Sequence, residues 1–244
     1  MSNRKDNGKS TLRTRFESFV KTLDEFEDID SLLNNAKEPD DRMRADYLFQ
    51  SRQIIVEQKT LVSDPVGRPQ RFAEKIMRDR GIIAFGTVST RRIFSNQPDT
   101  DSLQRGLMLN IAKIIDDDVA KADKQVRDTR LIFGIPEATG IIVLLNEGAE
   151  MLAPDVIYYA LCNAFQKKDE DGRLRYSRND GVILISEAHT LPLPGFPRAY
   201  PINTFTSPQT KSTDKVIAFS EMLVARWATF NHVPLIKEVR QPFR

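Results

Sequence analysis

The 244-residue chain has one cysteine, Cys162, and only two histidines, His189 and His232. A lone thiol excludes a disulfide framework and a thiolate zinc cluster. Two histidines so far apart argue against zinc held by imidazole, so a bound metal should be held by oxygen. Long apolar runs are also missing. None approaches the ~18 residues that span a bilayer, and the polar, basic N-terminus is no secretory signal. A soluble, cytoplasmic protein without a membrane partner is expected. Charge of one sign is scarce as well: a net charge of +2 is too small to imply nucleic-acid binding by itself. The beginning is locally basic, with Arg4, Lys5, Lys9, Arg13 and Arg15 against Asp6. Residues 1–11 read as a solvated, disordered tail.

What remains is a composition that is 40% hydrophobic and 29% charged, enough for one globular domain over 12–244. Phe16, Phe19, Val20, Leu23, Phe26, Ile29, Leu32 and Leu33 recur every three or four residues and predict a helix over about 12–35. Two strand-like runs follow, 44–50 (RADYLFQ) and 53–61 (QIIVEQKTL), joined by Ser51-Arg52 as a hairpin. A helix over 69–80 ends at Gly81, and 82–88 reads as a strand or buried connector. One long helix or two in series cover 101–133, with Gly134 and Pro136 marking the end. The apolar runs 140–146 (GIIVLLN) and 181–186 (GVILIS) predict strands covered on both faces. Between them lie a helix opened by Pro154, reaching about 165, and a charged loop over 166–180. A proline-rich wrap over 191–201 and a last helix over about 214–230 complete the chain. The expected fold class is α/β, a mixed central sheet flanked by helices, with a helical insertion over about 68–118.

The hairpin carries the chemistry. Glu57 and Lys59 stand two residues apart on an otherwise apolar strand, so alternation sends both to one face. Burying ionised groups costs several kcal/mol each unless they are paired or ligated. With Ser51-Arg52 as the loop, opposed residue numbers add up to 103, which sets Asp46 across from Glu57. Facing carboxylates destabilise a sheet unless one is protonated or a cation lies between them. A divalent cation accounts for the layout: Asp46 and Glu57 as hard oxygen ligands, the Gln58 carbonyl as a third, and water or a phosphate in the remaining positions that Mg2+ prefers to fill. Mn2+ should substitute. Lys59 would orient a water or stabilise the charge of a phosphoryl transition state. The competing reading is an ordinary charged hairpin face, solvated and bridged by Lys59.

Asp46 followed eleven residues later by Glu57-Gln58-Lys59 on an apolar strand resembles the PD-(D/E)XK nuclease superfamily. The resemblance covers 12–61, with a weaker fit over 119–186. It implies a restriction-endonuclease-like αβββαβ core and Mg2+-dependent hydrolysis of phosphodiester bonds, with DNA the expected partner. It makes Asp46 and Glu57 metal ligands and Lys59 the catalytic lysine. By the same resemblance an acid from the first helix, Glu17 or Glu25, joins the metal, and a polar residue on the helix after the third strand, Gln125, joins the catalytic set. The chain departs from the pattern in two places. The literal proline–aspartate pair is Pro39-Asp40, six residues before Asp46, and the stretch between Lys59 and Gln125 is long. Double-strand cleavage would favour a two-fold homodimer. The alternative function is a non-catalytic nuclease-like module that binds DNA, or an assembly subunit of a defence or mobile-element complex.

Other motifs carry less. Gly8-Lys9-Ser10-Thr11 echoes a phosphate-binding loop but lacks its first glycine and a preceding strand. Asp116-Asp117-Asp118 reads as a solvated helical face. His189 reads as an incidental loop residue and Cys162 as a small core residue.

Overall fold

The computed structural model describes residues 10–36, 42–83, 93–94 and 97–236. The tail over 1–9, the Pro39-Asp40 pair and most of the 82–88 connector lie outside them. Helix α1 (Leu12–Val20) begins where the Thr11 side chain accepts the Thr14 amide. The expected continuous helix over 12–35 is broken. Glu25 adopts a left-handed φ of 61°, strand β1 (Glu27–Asp28) follows, and α2 (Ile29–Ala36) restarts. The three- and four-residue periodicity runs through the break because Phe26 packs on Tyr47 and Phe49 while Ile29 faces a different apolar cluster. The register of side chains survived; the backbone hydrogen bonds did not.

Strands β2 (Tyr47–Phe49) and β3 (Ile54–Leu61) pair antiparallel with Tyr47 opposite Val56 and Phe49 opposite Ile54, the register expected from the sequence. Their loop is longer than two residues: Gln50, Ser51 and Arg52 all have positive φ. The first strand is also shorter than 44–50, so Asp46 lies just before β2 and not within it.

After β3 come α3 (Gly67–Asp79), α4 (Thr100–Ile111) and α5 (Lys113–Phe133), the last two separated at Ala112 and the last ended by left-handed Gly134. Strand β4 (Thr139–Asn146) lies parallel to β3, and after α6 (Pro154–Phe165) strand β5 (Gly181–Ser186) lies parallel to β4. The proline-rich stretch forms a separate ribbon, β6 (Leu191–Leu193) with β7 (Phe196–Ala199). Next, β8 (Ile202–Thr206), a strand absent from the sequence reading, adds antiparallel to β5 before α7 (Thr213–Phe230). The main sheet is therefore mixed and six-stranded, in the order β1-β2-β3-β4-β5-β8. No helix among the described residues is long and apolar enough to cross a membrane.

Alternation along the strands makes two cores. Tyr47, Val56, Ile141 and Val143 face Phe16 and Phe19 of α1 and Phe219 and Trp227 of α7. Ile142, Leu144, Val182 and Leu184 face Val119 of α5 and Leu161 of α6. Leu48 and Ile55, on that second side, meet Val126 of α5. Glu57 and Lys59 follow Ile55 at two-residue steps, so they too point toward α5.

Close packing of α5 on the sheet depends on Gly140. A β-carbon there would sit 2.3 Å from the Arg178 carbonyl oxygen and 2.7 Å from Val126 Cγ1. The first neighbour is backbone and cannot swing aside. Gly140→Ala should therefore destabilise the fold by about 3 kcal/mol, the upper range for overpacking. A urea midpoint equal to that of the unmodified protein would contradict this.

Candidate metal centre

Glu57 is 2% exposed, so the hairpin face is not solvated there, while the Lys59 bridge of the competing reading is present. Lys59 Nζ lies 2.6 Å from Glu57 Oε1 and 2.9 Å from Gln125 Oε1. The other carboxylate oxygen, Glu57 Oε2, is buried without a hydrogen-bond partner. A desolvated carboxylate oxygen costs free energy unless a proton or cation meets it.

Asp46 reaches the same place from the neighbouring segment. Its Oδ2 accepts the Gln58 amide at 2.7 Å, its amide donates to the Val56 carbonyl at 3.2 Å, and its carbonyl accepts from Ile29 at 3.1 Å. In a strand the N–H and C=O of one residue point to the same edge. The Gln58 carbonyl is thus directed to the edge where Asp46 sits, which β2 leaves open beyond Val56.

Helix α5 fixes this arrangement from above. Gln125 receives Lys59 through Oε1 and donates through Nε2 to the Arg44 carbonyl at 2.9 Å. Thr129, one turn later, accepts the Ala45 amide at 2.9 Å. The two side chains hold both sides of the Arg44-Ala45 link, and so place Asp46. Gln125 is brought to the centre although 66 positions separate it from Lys59.

The electrostatics follow from this burial. Glu57 is pushed up to about 8, first by loss of solvent and then by the Asp46 carboxylate, with Lys59 opposing. Asp46 is also raised, chiefly by burial, against the Gln58 amide and Lys59. Two carboxylates that both resist ionisation in one site are suited to share a proton or a cation.

Neither first-helix acid completes the set. Glu17 pairs with Arg13 at 2.7 Å on α1, which covers the face of the sheet opposite to Glu57. Glu25, expected on the helix and at the metal, lies in the exposed turn after it. Among the described residues no cluster of three or more His, Cys, Asp or Glu side chains could hold a metal. A cation here would rest on two carboxylates, the Gln58 carbonyl and water, the sparse protein set that magnesium accepts.

Sequence reasoning missed Asp118. The sequence reads it as part of a solvated face, yet it is half-buried, burial raises its carboxyl and Lys59 is the strongest charge opposing that rise. Asp118 precedes Gln125 by two helical turns, and that spacing was the signal available. Asp116 pairs with Lys167 at 2.6 Å, and its Oδ1 is buried without a hydrogen-bond partner. His189 is structural: it bridges Ser186 Oγ at 3.1 Å and the Glu150 carbonyl at 2.9 Å.

Comparison with protein-family models, curated proteins and solved structures gives no match to this chain.

Proposed function

We propose that this chain is a divalent-metal-dependent nuclease that hydrolyses phosphodiester bonds in DNA. The observation that carries the reading is the unpartnered, buried Glu57 Oε2 beside Asp46, with a lysine held at the same carboxylate. Asp46, Glu57 and the Gln58 carbonyl are the groups that would hold magnesium or manganese. Bound there, the ion would polarise a phosphate and lower the pKa of a coordinated water.

The protein's own residues supply the rest. Lys59 places its Nζ next to the carboxylates, where negative charge would build on the phosphoryl group during attack. Its position is set by Gln125, which makes Gln125 a positioning residue. Asp118, raised chiefly by burial, lies within the field of Lys59. No strand pairs with β3 on the β2 side beyond Val56, and the Asp46 carboxylate takes the Gln58 amide there. The chain order is compatible with the resemblance noted above, with one interruption: α1, the two-residue β1, then α2 before the antiparallel β2 and β3, and after α3 and α4 the helix α5 and the parallel strand β4.

The test is incubation of the purified protein with linear, circular and single-stranded DNA, with Mg2+, with Mn2+ and with EDTA. Cleavage that requires the metal is expected. DNA left intact under every metal, yet bound in a salt-sensitive way, would favour the non-catalytic module.

A further inference from the structure

Helix α3 carries four cations, Arg68, Arg71, Lys75 and Arg78, against two acids, Glu74 and Asp79. Their spacing of three, four and three residues places all four within an arc of about 80° on the helix. The other side is apolar and docked. Ala73 is buried, and Phe72 meets Phe94 edge-on with ring centroids 6.0 Å apart and lies against Gly106 of α4. The orientation of the helix is thus fixed with Arg71, Lys75 and Arg78 outward, while half-buried Arg68 turns back and donates to the Asn110 carbonyl at 3.3 Å.

Elsewhere arginines are satisfied by carboxylates: Arg13 by Glu17, Arg52 by Glu27, Arg80 by Asp99 and Arg130 by Asp180. Arg71, Lys75 and Arg78 are exposed and form no ion pair among the described residues. An aligned row of unneutralised cations on a rigid helix repels itself, and a row of phosphates relieves that repulsion. From Arg71 to Arg78 the helix rises about 10 Å, a length over which one strand of a duplex passes about three phosphates. The row is also close to the metal centre in the chain. The linker from Leu61 at the end of β3 to Gly67 spans at most about 21 Å.

We propose that α3 is the surface on which this chain grips the phosphate backbone of one DNA strand beside the Asp46–Glu57 centre. The proposal deepens the nuclease reading and rests on it for the identity of the ligand. The row reads charge and not bases, so it should serve any sequence.

The experiment measures binding of a fluorescein-labelled DNA duplex, and of its single strand, by anisotropy in EDTA across a salt series. The full-length protein is compared with R71Q/K75Q/R78Q and with the charge-preserving R71K/R78K. Each phosphate contact contributes about 0.9 to the slope of log affinity against log salt. The triple glutamine variant should therefore lose about 3 from that slope, while R71K/R78K keeps it. Equivalently, between about 50 and 200 mM salt the unmodified protein should lose about fortyfold more affinity than the glutamine variant. The two DNA arms tell which form of the strand is held. An unchanged slope in the glutamine variant, no DNA binding by the unmodified protein, or a slope seen with RNA of the same sequence and not with DNA would overturn the proposal. Cleavage is scored separately. A slope lost without any metal-dependent cleavage leaves α3 standing and removes the nuclease; cleavage with an unchanged slope does the reverse.

Discussion

Replacing Glu57 with alanine should lower metal-dependent DNA cleavage by about 10³-fold or more, because it removes a metal ligand and the anchor of Lys59 together. The fold should survive. The deleted carboxylate has an oxygen without a partner, so its removal relieves a desolvation cost, and Lys59 retains Gln125 at 2.9 Å. Glu57→Gln should be equally inactive while keeping an acceptor for Lys59. Asp46→Asn should also fail, although its side chain can still accept the Gln58 amide. Lys59→Ala should lose rate while leaving metal affinity nearly intact, which separates the lysine from the ligands. Circular dichroism and thermal midpoints serve as the folding controls. Full activity in the Glu57→Ala protein would remove the mechanism.

The second large effect is on stability. Glu57 titrates at about 8 in the folded protein against an ordinary 4.5. The folded state therefore holds a proton that the unfolded state has released across this window. The stability tied to that proton is complete below pH 4.5 and is lost as pH rises through about 8. Asp46, raised as well, acts in the same direction. A shift of this size amounts to at most about 5 kcal/mol, or a fall of about 15 °C in the midpoint for a chain of this length. Without divalent ions, the midpoint should fall between pH 5 and pH 8. Magnesium should restore it at the alkaline end, where the ion no longer competes with the proton. Glu57→Gln should flatten the profile and abolish the response to magnesium. A flat profile in the unmodified protein would show that the Glu57 carboxylate is ionised at low pH and already satisfied.

The centre of this site was legible because the strand period is so strict. Glu57 and Lys59 could only share a face, and the hairpin register followed from where the loop had to be. The buried strands β4 and β5 were legible from unbroken apolar runs, and α6 from its opening proline. Other parts depended on contacts distant in sequence. The Asp46 segment is stopped from extending β2 by bonds to Ile29, Gln125 and Thr129, none of which is a neighbour in the chain. The turn at Glu25 interrupts a helix whose side-chain pattern continues unbroken. Strand β8, Ile202-Asn203-Thr204-Phe205-Thr206, is rich in β-branched and aromatic residues but does not alternate, since Ile202 and Phe205 face opposite cores, and prolines precede it. Asp118 looked like one of three equivalent acids, and only the packing of α5 on β3 separates it from Asp116 and Asp117.

Equilibrium titration with Mn2+, followed by electron paramagnetic resonance of the free ion, tests most directly whether two buried carboxylates hold one cation. One site per chain is expected at pH 8, weakening by up to about tenfold per pH unit on acidification as Glu57 takes up its proton. That site should vanish in both Glu57→Gln and Asp46→Asn. Manganese that binds equally well to all three proteins, or to none, would contradict the account.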